Sequence, residues 1–134
     1  MGKIYVDSSA FIGLYSRDDV HKPKADDKSK FLQEEHIPIV TSYGVLDETA
    51  TVLSQRVSKA VACSFLEEVL AEDGPELLEL SSRIRDEAYG IFKQVGSKNI
   101  SVVDCQIVAL CGAHNIKTIF SFDKHFTKLG LTLL

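Results

Sequence analysis

The sequence predicts a single α/β domain: a mostly parallel sheet of about five strands with helices on both faces. Three observations lead there. Short apolar runs of strand length alternate with longer segments of helical periodicity. Turn signals separate them, as at Asp73-Gly74-Pro75. The 134 residues are the size of one ordinary domain, and positions 1–134 show no repeat, low-complexity tract or linker composition.

The elements follow in chain order. Lys3 to Val6 is a short apolar run ending in Asp7, the pattern of a buried strand. Ser8 to Tyr15 reads as a first helix with Ser8 or Ser9 at its N-cap. Pro23 suits the first turn of a polar second helix ending near Glu35. Ile37 to Thr41 is a second strand, with Pro38 at its start, where a missing N–H is tolerated. Helices are expected from Tyr43 to Val57 and from Ser58 to Glu72. Leu77 to Leu80 is a short third strand and Ser82 to Val95 a helix. Ser101 to Ala113 is a helix, Lys117 to Phe122 a strand, and Leu131 to Leu134 a last strand. Phe11, Phe120, Phe122 and Phe126 read as core.

Composition narrows the function. Apolar residues make up 45% and charged residues 25%, a mix too apolar for disorder. No apolar run approaches the roughly 18 residues of a membrane span. The start, Met1-Gly2-Lys3-Ile4-Tyr5-Val6-Asp7, is not a signal peptide, and Val6 breaks a myristoylation pattern. A cytoplasmic protein with no membrane attachment is expected. Cys63, Cys105 and Cys111 lack CxxC spacing and are expected to be buried small hydrophobes. His21, His36, His114 and His125 form no ligand unit and are expected at the surface or at caps. The net charge is −4 and the pI about 5.5, awkward for a nucleic-acid binder unless bound cations reverse the sign locally.

Four acids carry the chemistry. In open parallel sheets, sites form beyond the carboxyl ends of strands. Asp7 and Asp123 both lie just past a strand end. In the helix after the second strand, Leu46, Ala50, Leu53 and Val57 share one face, with Asp47 and Glu48 near opposite edges of the apolar arc. Periodicity does not choose between these two. Asp104 projects between Ile107, Val108 and Cys111 on a helix that is apolar almost all round. A carboxylate there must be paired, protonated or bound to metal. The plainer alternative is a capping box with Ser101, which leaves Asp104 only one free oxygen. For Asp7 and Asp123 the plainer alternative is a turn or cap, and for the helix acids a solvated place near a helix N-terminus. Together the acids form an all-oxygen set suited to Mg²⁺ or Mn²⁺. A pair of such ions supports phosphodiester cleavage without help from Cys or His.

Four short segments, in order, resemble the PIN-domain family and, within it, the stand-alone VapC-type toxins of toxin–antitoxin pairs. They are Ile4-Tyr-Val-Asp7-Ser-Ser-Ala-Phe11, Thr41-Ser-Tyr-Gly-Val-Leu-Asp-Glu48-Thr49, Ser101-Val-Val-Asp104-Cys105 and Phe120-Ser-Phe-Asp123-Lys-His-Phe126. The resemblance implies a ribonuclease that uses Mg²⁺ or Mn²⁺ to hydrolyse single-stranded or loop RNA. It assigns the metal and catalytic roles to Asp7, Glu48, Asp104 and Asp123, and so prefers Glu48 to Asp47. Ser9 and Ser101 stand beside these acids as supporting residues. A small antitoxin and a homodimer are the partners it implies besides RNA. Arg17, Lys22, Lys24, Arg56, Lys124 and Lys128 are the candidates for phosphate contact. Competing readings are a PIN-fold module that binds without cleaving and a housekeeping RNA-processing nuclease. A haloacid-dehalogenase-like phosphatase would need Asp two residues after Asp7, where Ser9 stands, and a receiver domain would need an acidic pair that is absent.

Overall fold

The computed structural model describes residues 2–134. Five strands form one sheet: β1 (Ile4–Val6), β2 (Ile39–Ser42), β3 (Glu76–Leu78), β4 (Thr118–Phe120) and β5 (Thr132–Leu133). Their order is β3-β2-β1-β4-β5, and every neighbouring pair is parallel. β1 is central: Tyr5 pairs with Val40 on one side and Ile119 on the other. Helices connect the strands: α1 (Ser8–Tyr15), α2 (Lys22–Glu34), α3 (Tyr43–Arg56), α4 (Lys59–Val69), α5 (Ser82–Gln94), α6 (Val102–Ala113) and α7 (His125–Lys128).

Burial explains why β1 occupies the middle. Ile4, Tyr5 and Val6 are all buried, so both faces of this strand must be covered by helices. The Tyr5 hydroxyl is satisfied inside the core by Ser42 Oγ at 2.6 Å. On one face Phe65 of α4 packs edge-on against Phe11 and Tyr15, with ring centroids 5.1 and 5.2 Å apart. A smaller cluster of Ala88, Ile100, Cys105 and Ala109 joins α5 to α6. Among the described residues no helix is long and apolar enough to cross a membrane.

The expected five-stranded, mostly parallel sheet is present and is parallel throughout. Several expectations of element bounds and burial are corrected. β2 starts at Ile39, although the Pro38 carbonyl still accepts from Ile4 N at 3.0 Å. β4 stops at Phe120, because the next backbone donors turn to serines: Phe122 N to Ser9 Oγ at 2.9 Å and Asp123 N to Ser121 Oγ at 3.0 Å. Helix α7 follows at once, where no helix was expected. Cys105 and Cys111 are buried, but Cys63 is exposed, because it lies on the outer side of α4 from Ala62 and Phe65. Phe122 is only half-buried and stacks on the His21 ring at 4.3 Å.

Phe65→Ala should lower the free energy of unfolding by about 3–5 kcal/mol, read from the midpoint and slope of a urea melt. A change below about 1 kcal/mol would mean that the aromatic cluster does not hold α4 on the sheet.

Candidate active site

The carboxyl ends of β1 and β4 lie side by side, so the residues after each strand meet at one edge of the sheet. Asp7 follows β1 directly and is only 1% exposed. It occupies the N-cap position of α1, yet its side chain makes no capping bond. The plainer reading of Asp7 as a helix cap therefore fails. Its carboxylate instead accepts from Ser121 Oγ at 2.8 Å and Ser9 Oγ at 3.3 Å. Burial raises the Asp7 pKa to about 7; the Ser121 bond opposes this, and the charges of Asp123 and Asp104 add to it.

Asp104 stands on the first turn of α6 and is also buried. Here the plainer alternative does hold, in part. Asp104 N donates to Ser101 Oγ at 3.0 Å and Ser101 N donates to Asp104 Oδ2 at 2.9 Å, a complete capping box. The His125 Nε2 atom lies 3.2 Å from the same Oδ2. Both neighbours crowd one oxygen, and Oδ1 is free of the cap.

Glu48 lies on an exposed part of α3. Partial burial of its carboxyl, then the charges of Asp104 and Asp123, push its pKa up, while Ser8 pulls it down. Asp123 is half-buried just before α7, whose N-cap is Lys124. Electrostatically, then, the four predicted acids form one group. Asp47 does not join them; its side chain lines a neighbouring cavity.

The predicted supporting residues are both engaged. Ser9 Oγ touches Asp7, lies 3.2 Å from Ser121 Oγ and accepts from Phe122 N. Ser101 caps α6. The basic candidates are more dispersed. Arg17, Arg56 and Lys124 are exposed and enter no ion pair with a described residue. Lys22 is spent within its own neighbourhood, donating to Leu14 O at 2.9 Å and Asp26 Oδ1 at 3.3 Å. Lys24 and Lys128 are exposed.

Two residues were missed. Ser121 is buried and is the shortest hydrogen bond to Asp7, although it lies 114 positions away in sequence. Its one sequence signal is a hydroxyl at the end of an apolar strand. His125 was expected at the surface or as a cap. Its Nε2 is buried without a hydrogen-bond partner of good geometry, facing Asp104.

As they stand, no three His, Cys, Asp or Glu side chains among the described residues form a ready cage for a metal ion. The chemistry of the set nonetheless suits a hard divalent cation. The donors are carboxylate oxygens, and a cation would relieve the mutual repulsion that raises Asp7.

Comparison with known proteins identifies the family and the fold. The model of the PIN domain family matches residues 4–131. The chain therefore belongs to the PIN-domain family. No curated protein sequence matches it. Among solved structures it is similar to VapC20 of Mycobacterium tuberculosis, a toxin that cleaves the sarcin–ricin loop. That match has a TM-score of 0.85 and 23% identity, and covers 96% of each chain. It is also similar to VapBC2 from Rickettsia felis, solved bound to a DNA fragment from its promoter. There the TM-score is 0.72 and the identity 18%, over 98% of this chain and 97% of the other. At these identities the two structures establish the fold.

Asp7 binds its proton more tightly folded than unfolded, so it favours the folded state most at low pH. In EDTA, this contribution should be fully present below the ordinary carboxylate pKa of 3.8 and be lost as pH rises through about 7. Asp7→Asn should flatten that part of a plot of stability against pH, measured by urea melts from pH 4 to 8. An unchanged slope would show that Asp7 ionises as freely as a surface acid.

Proposed function

As a member of the PIN-domain family, the chain is, we propose, a divalent-metal-dependent endoribonuclease that hydrolyses phosphodiester bonds in single-stranded or loop RNA. The observation that carries this reading is Asp7. A carboxylate that is buried, unused as a cap and pushed up by two neighbouring acids costs stability, and a bound cation accounts for keeping it.

In this reading Asp7 and Asp104 hold the cation, and Glu48 and Asp123 complete the site directly or through water. When bound, Mg²⁺ or Mn²⁺ lowers the pKa of a water and offsets negative charge on the phosphate. The chain's own residues do the rest. Ser121 and Ser9 hold Asp7 in one orientation. The capping box fixes Asp104 through Oδ2, leaving Oδ1 outside the cap. Glu48, the most exposed of the four and raised in pKa, is the group suited to orient a water or take its proton.

The similarity to VapC20 and VapBC2 supports a role as the toxin of a toxin–antitoxin pair. A small antitoxin, a homodimer and a cytoplasmic location belong to the same proposal. Arg17, Arg56 and Lys124 are its candidates for phosphate contact, and a short list of cations suits a protein of net charge −4 that relies on metal at the site.

Asp104→Asn keeps an oxygen for the Ser101 N–H while removing the charge. With Mn²⁺ and a pool of structured RNAs, it should cut no faster than the unaltered protein in EDTA, with an unchanged circular-dichroism spectrum. Metal-dependent cutting that survives in Asp104→Asn would sink the site assignment.

A further inference from the structure

A cavity of about 840 Å³ opens beside the four acids and shares Glu48 with them. That volume is in the range of small-molecule sites. Its walls come from the start of α3, the end of β3, the start of α5 and one face of α6. Its polar groups include Asp47, Glu79, Arg85 and Gln106 besides Glu48, with Tyr43 beside them. We propose that this cavity binds the base of a nucleotide next to the scissile phosphate, guanine by preference, and thereby sets where the strand is cut. This rests on the nuclease reading above.

The charge of the walls argues for a base. Asp47, Glu48 and Glu79 face one cation, Arg85, so a phosphate would be repelled while an uncharged base would not. The hydrogen-bonding groups are also unspent. Arg85 enters no ion pair with another described residue. Gln106 points its amide at α3, and the lack of a side chain at Gly44 makes the room: a Cβ there would stand 3.2 Å from Gln106 Oε1. Guanine is the base that offers both adjacent N–H donors to a carboxylate and the O6 and N7 acceptors to an arginine or amide. Tyr43 supplies a ring that is 55% exposed, a platform for stacking. Position completes the argument, since Glu48 lines the cavity and also feels the charges of Asp104 and Asp123, which makes it the link between the two.

The test has two arms. In EDTA, non-cleavable 2′-O-methyl hexanucleotides with one variable base are titrated against the full chain by fluorescence anisotropy. With Mn²⁺, cut sites in a random RNA pool are sequenced. Guanine should be preferred about tenfold over the other bases in binding, and enriched at one fixed position beside the cut. Asp47→Asn and Gln106→Ala should each bring that preference toward unity. Tyr43→Ala, at an exposed position, should weaken all four bases together by tenfold or more. Cutting without base preference, or with a preference that neither Asp47→Asn nor Gln106→Ala changes, overturns the base site and leaves the nuclease standing. Guanine-selective binding in EDTA without any cutting supports the base site and overturns the nuclease. No binding and no cutting overturns both, and would point to a protein partner for the cavity.

Discussion

The carboxylate of Asp7 is held in the interior at the point where the central strand ends, and much of the molecule is arranged around that. Burial alone would make it protonate, and the charges of Asp104 and Asp123 push the same way. Ser121 and Ser9 resist by donating to it. The Ser9 hydroxyl in turn accepts from Phe122 N, and Ser121 accepts from Asp123 N. The turn that ends β4 is thus built from the groups that hold Asp7. Strand end, turn and acid form one hydrogen-bonded unit, and α7 starts directly beyond it.

Asp104 shows how one residue serves fold and site together. Its Oδ2 closes the capping box of α6, which offsets the unpaired donors of that helix start. His125 approaches the same oxygen. The side chain is fixed through one oxygen of the carboxylate, and the other stays outside the cap. If Asp104 binds a cation as proposed, these outer hydrogen bonds would hold it more firmly than a free side chain. The cost is a buried imidazole nitrogen without a well-directed partner.

The acidic balance of the chain fits this scheme. A protein that gathered RNA by surface charge would carry a basic stripe. Here the cavity beside the acids carries three carboxylates and one cation, Arg85. Under the proposed nuclease reading, affinity would come from a cation at the carboxylates and from contacts to bases. Binding of this kind is selective and depends less on salt than contact to phosphates alone.

The sequence by itself determined the class of the fold, the order of its elements and the identity of the acids past the strand ends. Those features are local: a strand needs only a few apolar residues in a row, and an Asp after it marks a chain leaving the sheet. Helices α1, α3, α5 and α6 stand within a residue or so of their expected bounds, since periodicity and caps are short-range signals. What only the tertiary structure decided lies between segments. Periodicity left Asp47 and Glu48 equivalent; packing of α3 set both at the cavity and brought only Glu48 within reach of the charges of Asp104 and Asp123. Ser121 and His125 gained their roles because β4 lies beside β1 and α7 reaches α6. The early end of β4 has the same origin, because the Phe122 N–H that local pattern assigned to a ladder found an acceptor in Ser9, a hydroxyl from another part of the chain.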